Sequence, residues 1–341
     1  LNEAQRAAVE YIDGPSLVIA GAGSGKTRVL TYKIAYLVQQ NEDLNSLLVL
    51  TFTNKAAREM VRRFSALLGD EFVGRQPYMG TFHSVFARIL HSGNAEKIGV
   101  GYYSNFTIYD EADSRSQIKA IVKSLQLDER TYKPALVHGI ISKAKNNLQD
   151  PAKFLDSHSG EFDKYKGLNY ESLYNIYVEY EQRCRSANVM DFDDLLYYTY
   201  VLFADKSNGV CRHYASVFKY ILVDEYQDTN RLQQKILSLI YEEMPKKRIC
   251  VVGDDAQSIY AFRGAEVNNI LNFCDEFKNK RGQNAALFKL EQNYRSTQTI
   301  VEAANSLIRH NRNQIPKDVF SENTKGEKIQ YKPAYSDKEE A

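Results

Sequence analysis

The sequence contains no tryptophan, although it has 24 tyrosines and 16 phenylalanines. Any surface that stacks on a planar ligand must therefore use Tyr, Phe or His. No apolar run approaches the roughly 20 residues that a membrane span needs, and no signal peptide opens the chain. The only cysteines, which include no C-x-x-C pair, are Cys184, Cys211, Cys250 and Cys274. This pattern argues against a zinc site and is typical of a reducing cytosol.

An excess of charge of either sign is also missing. The chain has 44 Lys and Arg against 43 Asp and Glu, so any positive field for nucleic acid must be local. Its 341 residues and mean hydropathy of −0.47 are those of an ordinary globular protein with room for two or three domains. Because the chain opens on Leu1 rather than Met, we expect it to be part of a longer protein.

Residues 20–27 read A-G-A-G-S-G-K-T. A short apolar segment precedes them and an amphipathic helical pattern follows, which is the context of a P-loop that cradles phosphates. Lys26 is the candidate for the β- and γ-phosphates, and Thr27 for Mg²⁺. The strict pattern has Gly in place of Ala20, so a plain Gly-rich turn is the alternative. The candidate nucleotide-binding residues here are Ala22, Gly23, Ser24, Gly25, Lys26, Thr27 and Arg28.

Two further apolar runs end in polar residues that suit the same chemistry. Residues 220–223 precede Asp224 and Glu225, which read as a Walker B pair. We expect Asp224 to hold Mg²⁺, with Glu225 at the metal as well, and Glu225 to orient or deprotonate the attacking water. Residues 249–252 precede Gln257, an uncharged group able to sense a γ-phosphate. The aromatic and cationic surface that follows consists of Tyr260, Phe262 and Arg263.

Two other strand ends offer hydroxyl, amide, cationic and aromatic groups. Such groups can hold a phosphodiester backbone and stack on a base, and the carboxyl ends of parallel strands are where ligands bind. A simple N-capped helix start is the alternative for each. The candidates are Thr51, Phe52, Thr53, Asn54 and Lys55 in the first, and Thr81, Phe82 and His83 in the second.

The pattern predicts an α/β protein with a parallel sheet and an all-helical insertion, because helical periodicity dominates residues 89–188. Lys143 and Lys145 in that segment read as a solvated helix end, with a patch for duplex phosphates as the alternative. Asp191 is expected to cap the next helix rather than bind a metal.

Read together, these stretches resemble the UvrD/Rep/PcrA family of superfamily 1 DNA helicases. The most specific are D-E-Y-Q-D-T at residues 224–229 and G-D-x-x-Q-S-I-Y at residues 253–260. The resemblance implies that Gln5 reads the adenine edge, that Tyr294 stacks on adenine and that Arg295 is an arginine finger. Where family members often carry Trp, this chain has Phe262.

The resemblance also implies an activity and a domain plan. We expect an ATP- and Mg²⁺-dependent, cytoplasmic helicase that moves 3′ to 5′ on single-stranded DNA and acts at single/double-strand junctions. Residues 1–88 and 189–282 would form a first RecA-like domain, residues 89–188 its helical insertion, and residues 283–341 the start of a second RecA-like domain. The 341 residues alone are expected to bind nucleotide, hydrolyse it slowly and not unwind duplexes.

Other P-loop classes fit less well. A GTPase would need Asn-Lys-x-Asp, and the Asn54-Lys55 stretch lacks the Asp. An ABC transporter ATPase would show Leu-Ser-Gly-Gly-Gln, which the sequence does not contain. A non-catalytic nucleic-acid clamp is countered by the intact Lys26 and Glu225. A helicase subunit fused to a nuclease beyond residue 341 stays open.

Overall fold

The structure, a computed structural model, describes residues 1–69, 78–156, 168–261 and 264–330, together with residues 333, 335 and 336. Its strands are β1 (Ser16–Ala20), β2 (Leu47–Thr51), β3 (Tyr78–Thr81), β4 (Thr107–Ile108), β5 (Val189–Met190), β6 (Tyr220–Val223), β7 (Ile249–Gly253) and β8 (Ala286–Leu290). Six of them form one parallel sheet in the order β3-β2-β6-β7-β1-β8, and β4 pairs with β5. The predicted α/β class with a parallel sheet is confirmed.

The central strands are buried on both faces. Every residue of β1, β2, β6 and β7 is buried, which is why they read in the sequence as continuous apolar runs rather than as alternating patterns. Val18 of β1 pairs with Val252 of β7, and Leu222 of β6 pairs with Cys250. The strands predicted from the apolar runs are therefore confirmed.

Helices cover both faces of the sheet. The helices of the described residues are α1 (Glu3–Glu10), α2 (Lys26–Gln39), α3 (Asn54–Leu68), α4 (Phe82–His91), α5 (Glu111–Ser124), α6 (Pro134–Asn146), α7 (Pro151–Asp156), α8 (Tyr170–Ser186), α9 (Phe192–Ala204), α10 (Val210–Val217), α11 (Arg231–Glu243), α12 (Asn268–Leu271), α13 (Phe273–Glu276) and α14 (Gln298–Ile308). Helices α1 to α3 pack on one face, and α4 and α9 to α13 pack on the other. Within the described ranges, no helix is both long and apolar enough to cross a membrane.

The helical insertion has a core of its own. Buried side chains of α5 to α8 form a cluster separate from the two that cover the sheet. The insertion is shorter than residues 89–188, however. Helix α4 continues to His91 and packs on the sheet, and Tyr102 and Phe106 also join the core of the sheet.

The position of β8 in the sheet was not expected from the sequence. Residues 283–341 were expected to begin a second domain, yet β8 pairs with β1 from Ser16–Ala286 to Ala20–Leu290. It is the edge strand of the first sheet. The polar segment 278–284 therefore leads back into the same sheet. One edge of β1 pairs with β7, and without β8 the other edge would expose a row of unpaired backbone groups.

Candidate functional site

Residues 21–25 join β1 to α2, as expected of a P-loop. Gly23 and Gly25 have φ angles of 72° and 88°, which residues with a Cβ rarely adopt. Gly25 is the N-cap of α2, and among the described residues no side chain caps this helix. The N–H groups of its first turn can therefore bind an anion.

Ser24 stabilises the turn from within. Its N–H and its hydroxyl both donate to the carbonyl of Gly21, at 3.2 and 2.7 Å. Ala22 and Arg28 are exposed, and the Arg28 guanidinium lies 5.7 Å from the centre of the Tyr32 ring. Ser24 thus has a structural role in the loop, whereas Arg28 is accessible to a ligand.

Lys26 and Glu225 follow β1 and β6, the two strands that flank β7 in the sheet. The Nζ atom of Lys26 lies 3.1 Å from Oε2 of Glu225, and the two side chains are 10% and 37% exposed. Glu225 itself has a φ of 49°, so the backbone turns sharply just after β6. This strain at a non-glycine residue is typical of functional sites.

Asp224 directly precedes Glu225 and is buried, with an exposure of 3%. Burial, and then the adjacent charge of Glu225, raise the pKa of Asp224 to about 7. The same two causes raise the pKa of Asp228 to about 6, and its Oδ1 atom is buried without a hydrogen-bond partner in the described structure. A cation bound at Asp224 would offset the cost of burying its charge, and with Thr27 on the P-loop side this donor set fits Mg²⁺.

Gln257 follows β7 and is held by the carboxylate of Asp254. Its Nε2 donates to Asp254 Oδ2 at 2.6 Å, and the backbone N–H of Asp254 donates to Gln227 Oε1 at 3.0 Å. Gln227 in turn donates through Nε2 to Glu225 Oε2 at 2.9 Å. A continuous hydrogen-bonded chain therefore joins the end of β7 to the Lys26–Glu225 pair.

Gln5 is 1% exposed and contacts the P-loop directly. Its Nε2 donates to the carbonyl of Ser24 at 2.9 Å, and its Oε1 accepts from the N–H of Asn2 at 3.1 Å. Asn2 Nδ2 donates to the hydroxyl of Tyr294 at 2.9 Å. Gln5 and Tyr294, which are far apart in the sequence, thus flank the same loop, and the Tyr294 side chain is half exposed.

Arg295 belongs to the loop that follows β8, and this loop contacts the P-loop. The N–H of Tyr294 donates to the carbonyl of Gly23 at 3.0 Å. A Cβ at Gly23 would lie only 2.7 Å from Cβ of Arg295, which gives a second reason for glycine there. Arg295 is exposed.

Asn293 fixes this loop, and the sequence argument missed it. Its Nδ2 donates to the carbonyl of Ala22 at 2.7 Å. Its Oδ1 accepts from the N–H groups of Arg295 and Ser296, both at 2.8 Å. An Asn side chain that accepts from the backbone N–H two residues later is a known local signal for a turn. The sequence does not show, however, which carbonyl the Asn293 amide reaches.

The first predicted nucleic-acid loop is only partly available to a ligand. Thr51 is 1% exposed and its hydroxyl donates to the carbonyl of Thr53 at 3.2 Å. Thr53 caps α3 by accepting from the N–H of Ala56. Asn54 and Lys55 are exposed and Phe52 is half-buried, so these three retain access to a strand.

Phe82 is a correction, because its ring is 1% exposed and belongs to the core. It packs against Phe52 with ring centres 5.6 Å apart, so it supports Phe52 and cannot stack on a base. Thr81 caps α4 through the N–H of Ser84. His83 is half-buried, and burial lowers its pKa.

Phe192 is an aromatic residue that the sequence argument missed. It begins α9, is 51% exposed and lies edge-on to His83 with ring centres 6.0 Å apart. Tyr260 is 37% exposed after β7. Phe262 and Arg263 lie outside the described residues. An exposed aromatic directly after a capping Asp was the available signal for Phe192.

Lys145 is a second correction, because it is neither a solvated helix end nor a phosphate patch. It is 1% exposed and pairs with carboxylates of α8 and α9, at 2.6 to 3.0 Å. The buried Lys145 cluster consists of Lys145, Glu181, Asp191 and Asp194. The predicted cap at Asp191 is confirmed, since its Oδ1 accepts from the N–H of Asp194 at 2.7 Å.

Comparison with known proteins finds two matching families and several similar proteins. The family described as UvrD/REP helicase N-terminal domain matches residues 1–278, and the UvrD-like helicase C-terminal domain matches residues 288–341. The chain is 42% identical over 345 residues to the ATP-dependent DNA helicase PcrA of Leuconostoc citreum, covering 100% of this chain and 43% of that protein. For the PcrA proteins of Bacillus subtilis (strain 168) and Staphylococcus aureus (strain Mu50 / ATCC 700699), the identities are 42% and 41%. They cover 97% and 100% of this chain and 42% and 44% of those proteins.

Proposed function

The chain belongs to the UvrD/REP helicase family, and from this premise we propose that it is the N-terminal ATP-binding part of an ATP-dependent DNA helicase. It spans less than half the length of the PcrA relatives that it matches. The observation that carries the proposal is the pairing of Lys26 with Glu225 at 3.1 Å, next in the chain to the buried Asp224. Lys26 begins α2 and the two acids follow β6, and each residue has the chemistry that ATP hydrolysis needs.

The Lys26–Glu225 ion pair indicates the order in which the two side chains act during nucleotide binding and hydrolysis. A γ-phosphate at the P-loop competes with Glu225 for Lys26, because both are anions. Glu225 is then released to orient and deprotonate the attacking water. Asp224 and Thr27 would hold Mg²⁺, which neutralises phosphate charge when bound. The pair thus keeps Glu225 occupied until a nucleotide arrives.

Gln257 and Arg295 are the proposed partners of the transferred phosphoryl group. The amide of Gln257 can leave Asp254 and donate to a phosphate oxygen, since it carries no charge of its own. Arg295 is exposed on a loop that is hydrogen-bonded to the P-loop, so its guanidinium is placed to stabilise developing negative charge. Gln5 and Tyr294 are proposed to recognise adenine beside the same loop.

Single-stranded DNA is the proposed ligand of the neighbouring strand ends. Stacking on an exposed aromatic is worth about 1–3 kcal/mol per base, and the half-buried Phe52 and the more exposed Phe192 and Tyr260 can provide it. Asn54 and Lys55 can contact phosphates. The resemblance adds Thr53, His83, Phe262 and Arg263 to this surface, together with junction binding and 3′ to 5′ movement.

A second RecA-like domain is proposed to continue from the loop after β8. ATP would then bind between two such domains, and closure and reopening of the cleft would move the DNA strand. The setting is proposed to be repair or replication in the cytoplasm, and the four free cysteines, three of them buried, agree with a reducing compartment.

The experiment that tests the assignment is Glu225→Gln in the full-length protein, compared with Glu242→Gln on the exposed face of α11. We expect Glu225→Gln to bind ATP with near-normal affinity while kcat falls by about 10²-fold or more. Glu242→Gln should behave as the unchanged protein. Wild-type turnover in Glu225→Gln would show that another group activates the water.

A further inference from the structure

Residues 314–322, here called the return segment, follow α14 and contact the loops that come after β7, β1 and β8. The N–H of Ile315 donates to Asp255 Oδ2 at 2.8 Å. Further along, the N–H of Asn293 donates to the carbonyl of Phe320 at 2.7 Å, and the N–H of Phe320 donates to the carbonyl of Glu291 at 2.9 Å. The return segment is thereby held both by the end of β7 and by the loop that carries Arg295.

Lys317 lies at the centre of the return segment and is directed into the sheet edge. Its Nζ atom is 3.0 Å from Asp254 Oδ1 and 2.6 Å from Asp255 Oδ1. All three side chains are buried, with exposures of 5%, 4% and 1%. Burial by itself would lower the pKa of Lys317, but the two carboxylates raise it above its usual value, so the ammonium keeps its charge.

Asp254 links Lys317 to the residue proposed to sense the γ-phosphate. One carboxylate oxygen faces Lys317, and the other accepts the amide of Gln257 at 2.6 Å. When Gln257 turns to a phosphate oxygen, Asp254 loses that donor. Without Lys317, Asp254 would keep the N–H of Ala256 as a donor at 3.2 Å, but a buried carboxylate beside Asp255 would lack its cation, which is strongly unfavourable.

We propose that Lys317 is a positioning residue for ATP hydrolysis, which holds Asp254 so that Gln257 can exchange between that carboxylate and the γ-phosphate. The inference rests on the proposed function, because it requires Gln257 to contact the phosphate. It also implies that nucleotide binding is coupled mechanically to the return segment. The return segment is fixed to the residues that respond to the nucleotide, so a change at Gln257 is transmitted to the chain that leaves the ATPase sheet.

The test is a double-mutant cycle in the full-length protein, with Lys317→Met, Gln257→Ala and the two combined. Lys317→Met alone should lower kcat about tenfold while nucleotide affinity changes less than about twofold. In the Gln257→Ala background the same substitution should change kcat by less than about twofold. Lys289→Met, an exposed lysine of β8, is the matched control and should leave kcat unchanged.

Two outcomes would overturn the inference: an equal loss of kcat in both backgrounds, or no loss in either. If Lys317→Met does not fold, Lys317→Met/Asp255→Asn takes its place, because it removes one cation together with one anion and should give the same non-additive loss. Normal turnover in Glu225→Gln and Gln257→Ala would instead disprove the proposed function. The two failures are therefore distinguishable.

Discussion

Asp224 and Glu225 are adjacent carboxylates, but one side chain is buried and the other is partly exposed. The backbone conformation at each residue causes this difference. The N–H of Asp224 donates to the carbonyl of Leu50 at 2.9 Å, so Asp224 still follows the register of β6 and its side chain is buried. Glu225 leaves the strand with a φ of 49° and its side chain is partly exposed. One acid can therefore serve as a metal ligand and the other as a base.

The binding of Mg²⁺ should depend on pH through Asp224. Its pKa is raised from an ordinary 3.8 to about 7, and a metal needs the ionised form. We expect affinity for Mg²⁺-nucleotide to fall about tenfold between about pH 8 and about pH 6, as Asp224 gains its proton. Titration calorimetry in buffers of different ionisation enthalpy should show that binding of Mg²⁺-nucleotide releases protons near neutral pH and few protons above about pH 8.

Asp224→Asn is the control, because it keeps the shape of the side chain and the titration of the nucleotide itself. It should bind Mg²⁺ weakly and without this pH dependence. The free energy of unfolding depends on pH in the opposite sense to Mg²⁺ binding. A raised pKa in the folded state favours folding below the unfolded value of 3.8, and this contribution is lost as the pH rises through about 7. If Mg²⁺-nucleotide binding had the same pH profile in Asp224→Asn and in the unchanged protein, Asp224 would be excluded as the titrating group.

At the scale of the elements, the buried Lys145 cluster joins three helices, α6 and α8 of the insertion and α9 of the sheet domain. Burial would lower the pKa of Lys145, but the surrounding carboxylates raise it well above its usual value. Burial and the charge of Asp191 raise the pKa of Asp194. The hydroxyl of Tyr180 donates to Asp191 Oδ2 at 2.9 Å. The insertion is thus attached to the sheet domain by interactions that depend on one cation.

Lys145→Ala should lower the free energy of unfolding by about 3–5 kcal/mol, since removing one partner leaves buried carboxylates without compensation. Urea unfolding followed by circular dichroism measures this loss. Lys123→Ala, at an exposed position of α5, is the matched control and should change stability by less than about 0.5 kcal/mol. Equal effects of the two substitutions would show that the cluster contributes nothing to stability.

The whole molecule is organised by the order of its strands. Because β6, β7 and β1 are neighbours in the sheet, their carboxyl ends place residues 224–229, 253–257 and the P-loop along one edge. The β8 strand extends that order and adds the loop with Arg295. The described ranges contain one such sheet, with α14 and the return segment beyond it.

A polypeptide of residues 1–341 should therefore bind Mg²⁺-ATP but not unwind DNA, since the described residues contain a single multi-stranded ATPase sheet and no second one to close on the nucleotide. Its hydrolysis should be slow, because an arginine finger from a second domain is worth about 10³–10⁵ in rate. Strand displacement on a 3′-tailed duplex measures unwinding, with the full-length protein as the positive control. Efficient ATP-dependent unwinding by residues 1–341 would contradict the proposal of two closing domains.

The sequence by itself determined the elements whose signals are local. A continuous apolar run ending in a charged or glycine-rich turn is sufficient to predict a buried parallel strand, which is why β1, β2, β6 and β7 were predicted correctly. The cap at Asp191 is likewise local, because donor and acceptor lie three residues apart. The P-loop and the acids after β6 were identified for the same reason.

Only the tertiary structure decided which residues meet across long separations and which side of an element faces the core. An aromatic after a strand can stack on a base or fill the interior, and helix packing places Phe82 inside and Phe192 outside. Lys145 is buried because α8 and α9 bring carboxylates to it, and Lys317 because β7 ends in Asp254 and Asp255. Such pairings depend on chain topology, and no local pattern encodes them.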